Sequence, residues 1–98
     1  MNFLEETLIH QLIIEAQQDN QSAREKLILA YRSQIAATSS KVCGCPLDWN
    51  NDDELSIGLI AFNEAINGYN PSLGKSFWNY AQIVIHNRLV DYFRREAN

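Results

Sequence analysis

All but one of the residues that interrupt helices fall in two short stretches of this chain, and that clustering fixes most of what it can fold into. Of four glycines and two prolines, Gly44 and Pro46 fall together, as do Gly68, Pro71 and Gly74, and only Gly58 stands apart. Proline removes a helical N–H and glycine raises the entropic cost of helix, so the chain breaks at those two places. Between the breaks, apolar residues recur three and four apart. Leu4, Leu8 and Leu12 mark one helix over roughly 3–16. Ala23, Leu27, Ala30, Tyr31 and Ile35 mark a second that runs towards Val42. Asp19-Asn20 supplies turn and capping chemistry between them.

Leu47-Asp48-Trp49-Asn50 reads as a connection. Asn51 and Glu54 then have the spacing of a capping pair, and Asp52 and Asp53 complement the positive end of a helix dipole. A third helix is expected from there to about Asn67. Gly68 to Gly74 forms a turn, and a fourth helix, with no internal Gly or Pro, is expected from about Ser76 to Glu96. β-branched pairs are too few and too short for strands. The expected fold is all-α, a single compact domain of about four helices. A chain of 98 residues with 46% hydrophobic and 20% charged residues has the composition of one globular unit and too little length for two cores.

The net charge of −4 argues against a binder held to nucleic acid mainly by counterion release. Its distribution is uneven. Residues 1–67 carry four Lys/Arg against ten Asp/Glu, whereas residues 68–98 carry four (Lys75, Arg88, Arg94, Arg95) against two (Asp91, Glu96), so the two ends are expected to face different partners. The N-terminus has no basic leader, and no apolar run approaches the roughly 18 residues that span a bilayer, which gives a cytoplasmic expectation. Cys43 and Cys45 are one residue apart, a poor spacing for a disulfide and half a zinc site, so they are read as reduced thiols, with no metal.

At about 100° per residue, Leu55, Gly58, Phe62, Ala65, Ile66 and Tyr69 share the side of helix three expected to be buried. Asp53, Ser56, Ile60, Asn63, Glu64 and Asn67 share the other. On composition alone that second set reads as a solvated helix back, with Ile60 as the misfit, since an apolar residue ringed by polar ones suits a partner helix. On helix four, Phe77, Ala81, Ile85, Leu89 and Tyr92 make the core stripe, with Trp78 beside it. The opposite side shows Tyr80, Ile83, Asn87 and Arg94, flanked by Asn79, His86 and Val90, with Lys75 just before the helix. Those residues make either an ordinary solvated face or a ridge for a nucleic-acid strand, where rings stack bases, amides bond base edges and cations hold phosphate.

The run Asp52 to Ile66, followed by Tyr69-Asn70-Pro71 and by Gly74 to Ala81, resembles region two of the sigma-70 family. Asp53, Gly58, Ala65, Tyr69, Gly74, Phe77, Tyr80 and Ala81 match its typical residue types without a gap. The segments Asp53 to Ile66 and Arg88 to Glu96 look most like the sigma-I branch of bacilli and clostridia. Ala23 to Ile28 with Tyr31-Arg32 resembles the preceding helix, so the likeness covers nearly the whole chain.

The resemblance implies that helix three (53–67) docks on a coiled coil of the clamp in the largest subunit of core RNA polymerase, through Asp53, Ser56, Ile60, Asn63 and Glu64. It implies that the segment 75–96 recognises and melts the promoter −10 element as single-stranded DNA. Lys75, Tyr80, Ile83, His86, Asn87 and Arg94 are its candidate contacts, with Tyr80 stacking the flipped base and Asn87 offering a base-contacting amide. Ile83 and Val84 stand where the family's primary members carry a tryptophan pair, Lys75 replaces a frequent aromatic, and Val90 replaces a frequent hydroxyl residue, so melting that is weaker or more sequence-dependent than a housekeeping factor's is expected. The family's C-terminal domain for the upstream promoter element is expected to be absent from residues 1–98. A membrane-bound anti-sigma factor, acting through its cytoplasmic domain, is the regulatory partner that the sigma-I resemblance implies.

No catalytic step, cofactor or small-molecule substrate is expected. His10 and His86 are the only histidines, no phosphate loop occurs, and the cluster Asp52, Asp53, Glu54 is accounted for at a helix N-terminus. The competing reading is a helical module that binds proteins alone.

Overall fold

A computed structural model describes residues 6–49 and 52–97. Four helices follow in order: α1 (Glu6–Gln17), α2 (Gln21–Cys43), α3 (Asp53–Gly68) and α4 (Phe77–Ala97), with a single 3-10 turn at Pro71–Leu73. The Leu4 end of the first expected helix lies outside the described residues, as does Asn51.

Each boundary has a local cause. Asp19 takes a left-handed φ of 68° and ends α1. The Asn20 side chain then accepts from the Ala23 N–H at 3.1 Å and caps α2. Gly44, also left-handed at φ 73°, closes α2 by donating its N–H to the Ser40 carbonyl. Asp52 is the N-cap residue of α3, but its side chain turns back to accept from the Asp48 N–H and makes no cap bond. Asp53 and Glu54 fill the first turn, where negative charge is favoured. Ser76 Oγ accepts from the Asn79 N–H at 3.2 Å and starts α4.

Both expected core stripes are buried. Leu55, Phe62, Ala65 and Ile66 of α3 and Ala81, Ile85 and Leu89 of α4 lose all contact with water. α2 contributes Leu27, Tyr31 and Ile35, and α1 adds Leu12, Ile13 and Ala16. An aromatic cluster holds the centre: the Tyr31 ring stacks on Trp78 at 5.3 Å and meets Phe62 and Phe77 at 5.6 Å. Tyr92 is only half-buried, at the rim of its stripe. The radius of gyration, 13.5 Å, is close to the ~13 Å of a packed domain of this length, so the four helices form one body.

α2 packs against both α3 and α4 through Leu27, Tyr31 and Ile35. Near its C-terminal end it crosses α3 closely: a Cβ on Gly58 would stand 2.5 Å from Ser39 Oγ. Beyond the end of α2, the ring of Trp49 lies 4.4 Å from the Arg32 guanidinium. No helix among the described residues is long and apolar enough to cross a membrane.

Candidate docking face and nucleic-acid groove

The outer side of α3 presents Asp53, Ser56, Ile60 and Glu64 to solvent, with Ile60 53% exposed at its centre. Asn63 is half-buried, because neighbouring helices reach over this face from both flanks. From α2, Arg24 Nη1 donates to Asn63 Oδ1 at 3.2 Å. From α4, Arg88 Nε donates to Glu64 Oε1 at 2.8 Å and its Nη2 donates to Oε2. The hydrogen bond and charge of Glu64, with Asp91 further off, push the Arg88 pKa up, so the guanidinium is held as a cation. Beside Ile60, a hollow of about 140 Å³ is lined by Ile57, Ile60, Arg88, Asp91, Tyr92 and Arg95. The face is therefore an apolar centre inside a charged rim, built from two helices where the sequence pattern had pointed to one.

The Tyr92 phenol is pushed up, first by loss of hydration and then by Glu96, Glu54 and Asp53. The last turns of α4 thus lie within the field of the first turn of α3.

The candidate nucleic-acid residues divide into three groups. Ile83, His86 and Asn87 come together on one wall of an open groove of about 660 Å³ between α2 and α4, with Gln82 and Val90. Ala37, Thr38, Lys41 and Val42 form the other wall. Among the described residues lining the groove there is no carboxylate, although the chain as a whole carries a net charge of −4. Its walls offer apolar surface, two amides, a hydroxyl and an ammonium group, the chemistry that suits unpaired bases and phosphate.

Tyr80 lies apart from that groove, not on the free ridge with Ile83 and Asn87 where the sequence pattern set it. It is half-buried, with its ring 5.8 Å from Tyr69 and its hydroxyl over Gly68, so close that a Cβ there would approach it to 2.9 Å. At roughly 100° per residue it sits about 120° from the core centre of α4, against the C-terminal end of α3 instead of on the free ridge. Tyr69 in turn donates its hydroxyl to the Lys75 carbonyl at 2.7 Å and closes the turn that precedes α4. Lys75, two residues before α4, and Arg94, in its last turn, are both exposed. Neither reaches the groove. Sequence periodicity had no means of finding Thr38 and Lys41, since which side of α2 faces α4 depends on the tertiary crossing.

Residues 27–98 match the family model described as sigma-70 region 2. The chain belongs to the sigma-70 region 2 family. Its relatives are of the sigma-I type, and so is this chain. It is 46% identical over 81 residues to the RNA polymerase sigma factor SigI of Bacillus subtilis (strain 168), an alignment covering 83% of this chain and 32% of the relative. It is 36% identical over 87 residues to the RNA polymerase sigma factor SigI4 of Acetivibrio thermocellus, covering 89% of this chain and 32% of the relative. The RNA polymerase sigma factor SigI5 of the same organism aligns over 99 residues at 34% identity, covering 100% of this chain. The chain thus spans about a third of the length of the first two relatives. Region 2 as matched takes in α3, α4 and most of α2, and leaves α1 and the first turns of α2 outside it.

Proposed function

We propose that this chain is the domain of an alternative sigma factor that docks on core RNA polymerase and captures the −10 promoter element as a single strand. The observation that carries the DNA half is the groove between α2 and α4, free of carboxylates among its described residues and lined by Ile83, His86 and Asn87 opposite Thr38 and Lys41. An anionic strand meets the least repulsion there in an otherwise acidic protein. Tyr80, seated on Tyr69, supplies a stacking surface at the α3–α4 corner, and Lys75 and Arg94 supply cations at the two ends of α4. The polymerase half rests on the outer face of α3, with Asp53, Ser56, Ile60, Asn63 and Glu64 against the clamp coiled coil of the largest subunit.

In this reading residues 1–98 act as one unit, with 53–67 for docking and 75–96 for promoter recognition and melting, and the site of action is the cytoplasm. In this reading the domain acts by binding and carries out no catalytic step. The sigma-I type supports a third partner, the cytoplasmic domain of a membrane-bound anti-sigma factor, and neither face is assigned to it.

The test is a pair of titrations, one with a recombinant clamp fragment of the largest polymerase subunit and one with a single-stranded −10 oligonucleotide. Tyr80→Ala and Asn87→Ala are each expected to weaken the oligonucleotide by about tenfold or more, in line with the ~1–3 kcal/mol of a base–aromatic stack for the first and of an amide contact to a base edge for the second. Asp53→Arg is expected to weaken only the clamp fragment. Absence of oligonucleotide binding both alone and with polymerase removes the DNA half and leaves a helical module that binds proteins alone.

A further inference from the structure

We propose that Arg24, outside the part of the chain that matches region 2, is a positioning residue for the polymerase-docking face. It rests on the docking reading above. Arg24 is half-buried at the start of α2, and its guanidinium spans three elements. Nη2 donates to the Ala16 carbonyl in the last turn of α1 at 3.0 Å and to Asn67 Oδ1 at 2.7 Å. Nη1 donates to Asn63 Oδ1 at 3.2 Å and lies 3.4 Å from the Asn63 carbonyl. The cation thus reaches the side-chain oxygens of both asparagines on the outer side of α3.

An arginine has donors only, so each amide must turn its oxygen towards Arg24 and its NH₂ away. For Asn63 the rotamer is fixed twice, because Nδ2 also donates to the Leu59 carbonyl at 3.3 Å. Among the described residues no second acceptor takes the other Nδ2 hydrogen. It stands one turn from the exposed Ile60, and residues three apart on a helix are surface neighbours. The face therefore offers a partner a held amide donor beside an apolar knob. Ordering a loose amide on binding costs affinity, and Arg24 removes that cost beforehand. Such a donor fits a partner helix that places a carboxylate or amide oxygen next to an apolar contact.

A second bond system separates this role from simple bracing. Gln17 Nε2 donates to the carbonyls of Ile66 at 2.8 Å and Tyr69 at 3.1 Å. It ties α1 to the end of α3 as Arg24 does, without touching Asn63.

The experiment compares Arg24→Met, which keeps the stem and loses the donors, with Gln17→Ala, Asn63→Ala and Ile60→Ala in the 98-residue chain. Each variant is measured by thermal unfolding and by titration with the clamp fragment, and the side-chain amide signals of Asn63 and Asn67 are followed by NMR. Arg24→Met is expected to weaken the clamp fragment roughly three- to tenfold, the cost of leaving one polar side chain to be ordered on binding. It should add nothing to Asn63→Ala and should collapse the dispersion of both amide signals. Arg24→Lys, with one donor centre, should restore part of the affinity. Gln17→Ala should lower the unfolding midpoint and leave affinity unchanged. Equal affinity losses in Arg24→Met and Gln17→Ala, or additivity of Arg24→Met with Asn63→Ala, overturn the proposal and make Arg24 a brace. If Ile60→Ala also leaves clamp binding untouched, the docking reading itself has failed.

Discussion

Arg88 of α4 grips Glu64 of α3 with two parallel hydrogen bonds, from Nε to Oε1 and from Nη2 to Oε2, so the two helices of the matched region are joined by a forked ion pair. Both side chains remain exposed, at 40% and 46%, and water screens the pair. Replacing Arg88 with Ala is expected to cost at most about 1 kcal/mol at low salt and less at high salt. Thermal unfolding at two ionic strengths measures this. A larger loss that salt does not reduce would mean that Arg88 acts through packing of its stem on Ile57 and Tyr92.

Ser39 of α2 and Gly58 of α3 approach closely, so that a Cβ on Gly58 would stand 2.5 Å from Ser39 Oγ. Ser39 is fully buried and its Oγ has no hydrogen-bond partner among the described residues. An unsatisfied buried hydroxyl costs about 1–3 kcal/mol, so Ser39→Ala is expected to stabilise the domain. Gly58→Ala gains helix propensity of roughly 1 kcal/mol but drives a methyl towards Ser39 Oγ, and is expected to be destabilising overall. Ser39 Cβ would lie 3.8 Å from the new carbon, an ordinary contact. In the Ser39→Ala background, Gly58→Ala should therefore become neutral or favourable. Urea unfolding of the four proteins in the cycle decides it, and simple additivity would contradict the geometry.

This pair also shows where sequence reasoning stopped. Periodicity placed Leu55, Phe62, Ala65, Ile85 and Leu89 in the core because a helix spaces its buried face every three or four residues, and it left Gly58 on that face with no partner to name. The clustering of Gly and Pro located both breaks, and Asn20 caps α2 as its residue type implied. Contacts between helices were not legible. Arg24 reaching Asn63, Lys41 facing Ile83 across the groove and Tyr80 folding onto Tyr69 all depend on crossing geometry. The expected cap pair of Asn51 and Glu54 falls partly outside the described residues, and the N-cap position itself is occupied by Asp52.

The phenol of Tyr31 is pushed up by burial and, less, by the charge of Glu6. A free tyrosine titrates near ~10, so below that value the neutral ring contributes fully to the fold. As pH rises past it, the unfolded chain loses the proton more readily than the folded one, and stability falls. Urea midpoints from about pH 9 to 11 should decline more steeply in the wild type than in Tyr31→Phe. Tyr92, shifted in the same direction, leaves a residual slope in the variant. Parallel declines would show that Tyr31 titrates as it does in the unfolded chain.

Cys43 and Cys45 are both free thiols in different surroundings. Cys43 is half-buried, and its thiol is pushed up by that burial, then by Glu54, Cys45 and Asp52. Since the thiolate is the nucleophile, alkylation with iodoacetamide at neutral pH should label the exposed Cys45 well before Cys43. Peptide mapping over a time course reads the order. Equal rates would mean that the end of α2 opens faster than the reagent reacts.

The resemblance sets Ile83 and Val84 at the places of a tryptophan pair in the family's primary members, yet the two positions are not equivalent in this structure. Ile83 is 45% exposed at the lip of the α2–α4 groove, whereas Val84 is half-buried and packed against the core cluster. An indole at position 83 has open space to occupy, and Ile83→Trp is expected to change stability by no more than about 0.5 kcal/mol. An indole at 84 must displace core neighbours and should cost about 1–3 kcal/mol. If the groove holds the −10 strand, Ile83→Trp also adds a stacking face and should tighten a single-stranded −10 oligonucleotide, by up to about tenfold per stacked base. Thermal unfolding and oligonucleotide titration of both variants separate the two effects. Equal destabilisation would contradict the placement of Ile83 outside the core, and a stable Ile83→Trp with unchanged oligonucleotide affinity would move the strand out of the groove.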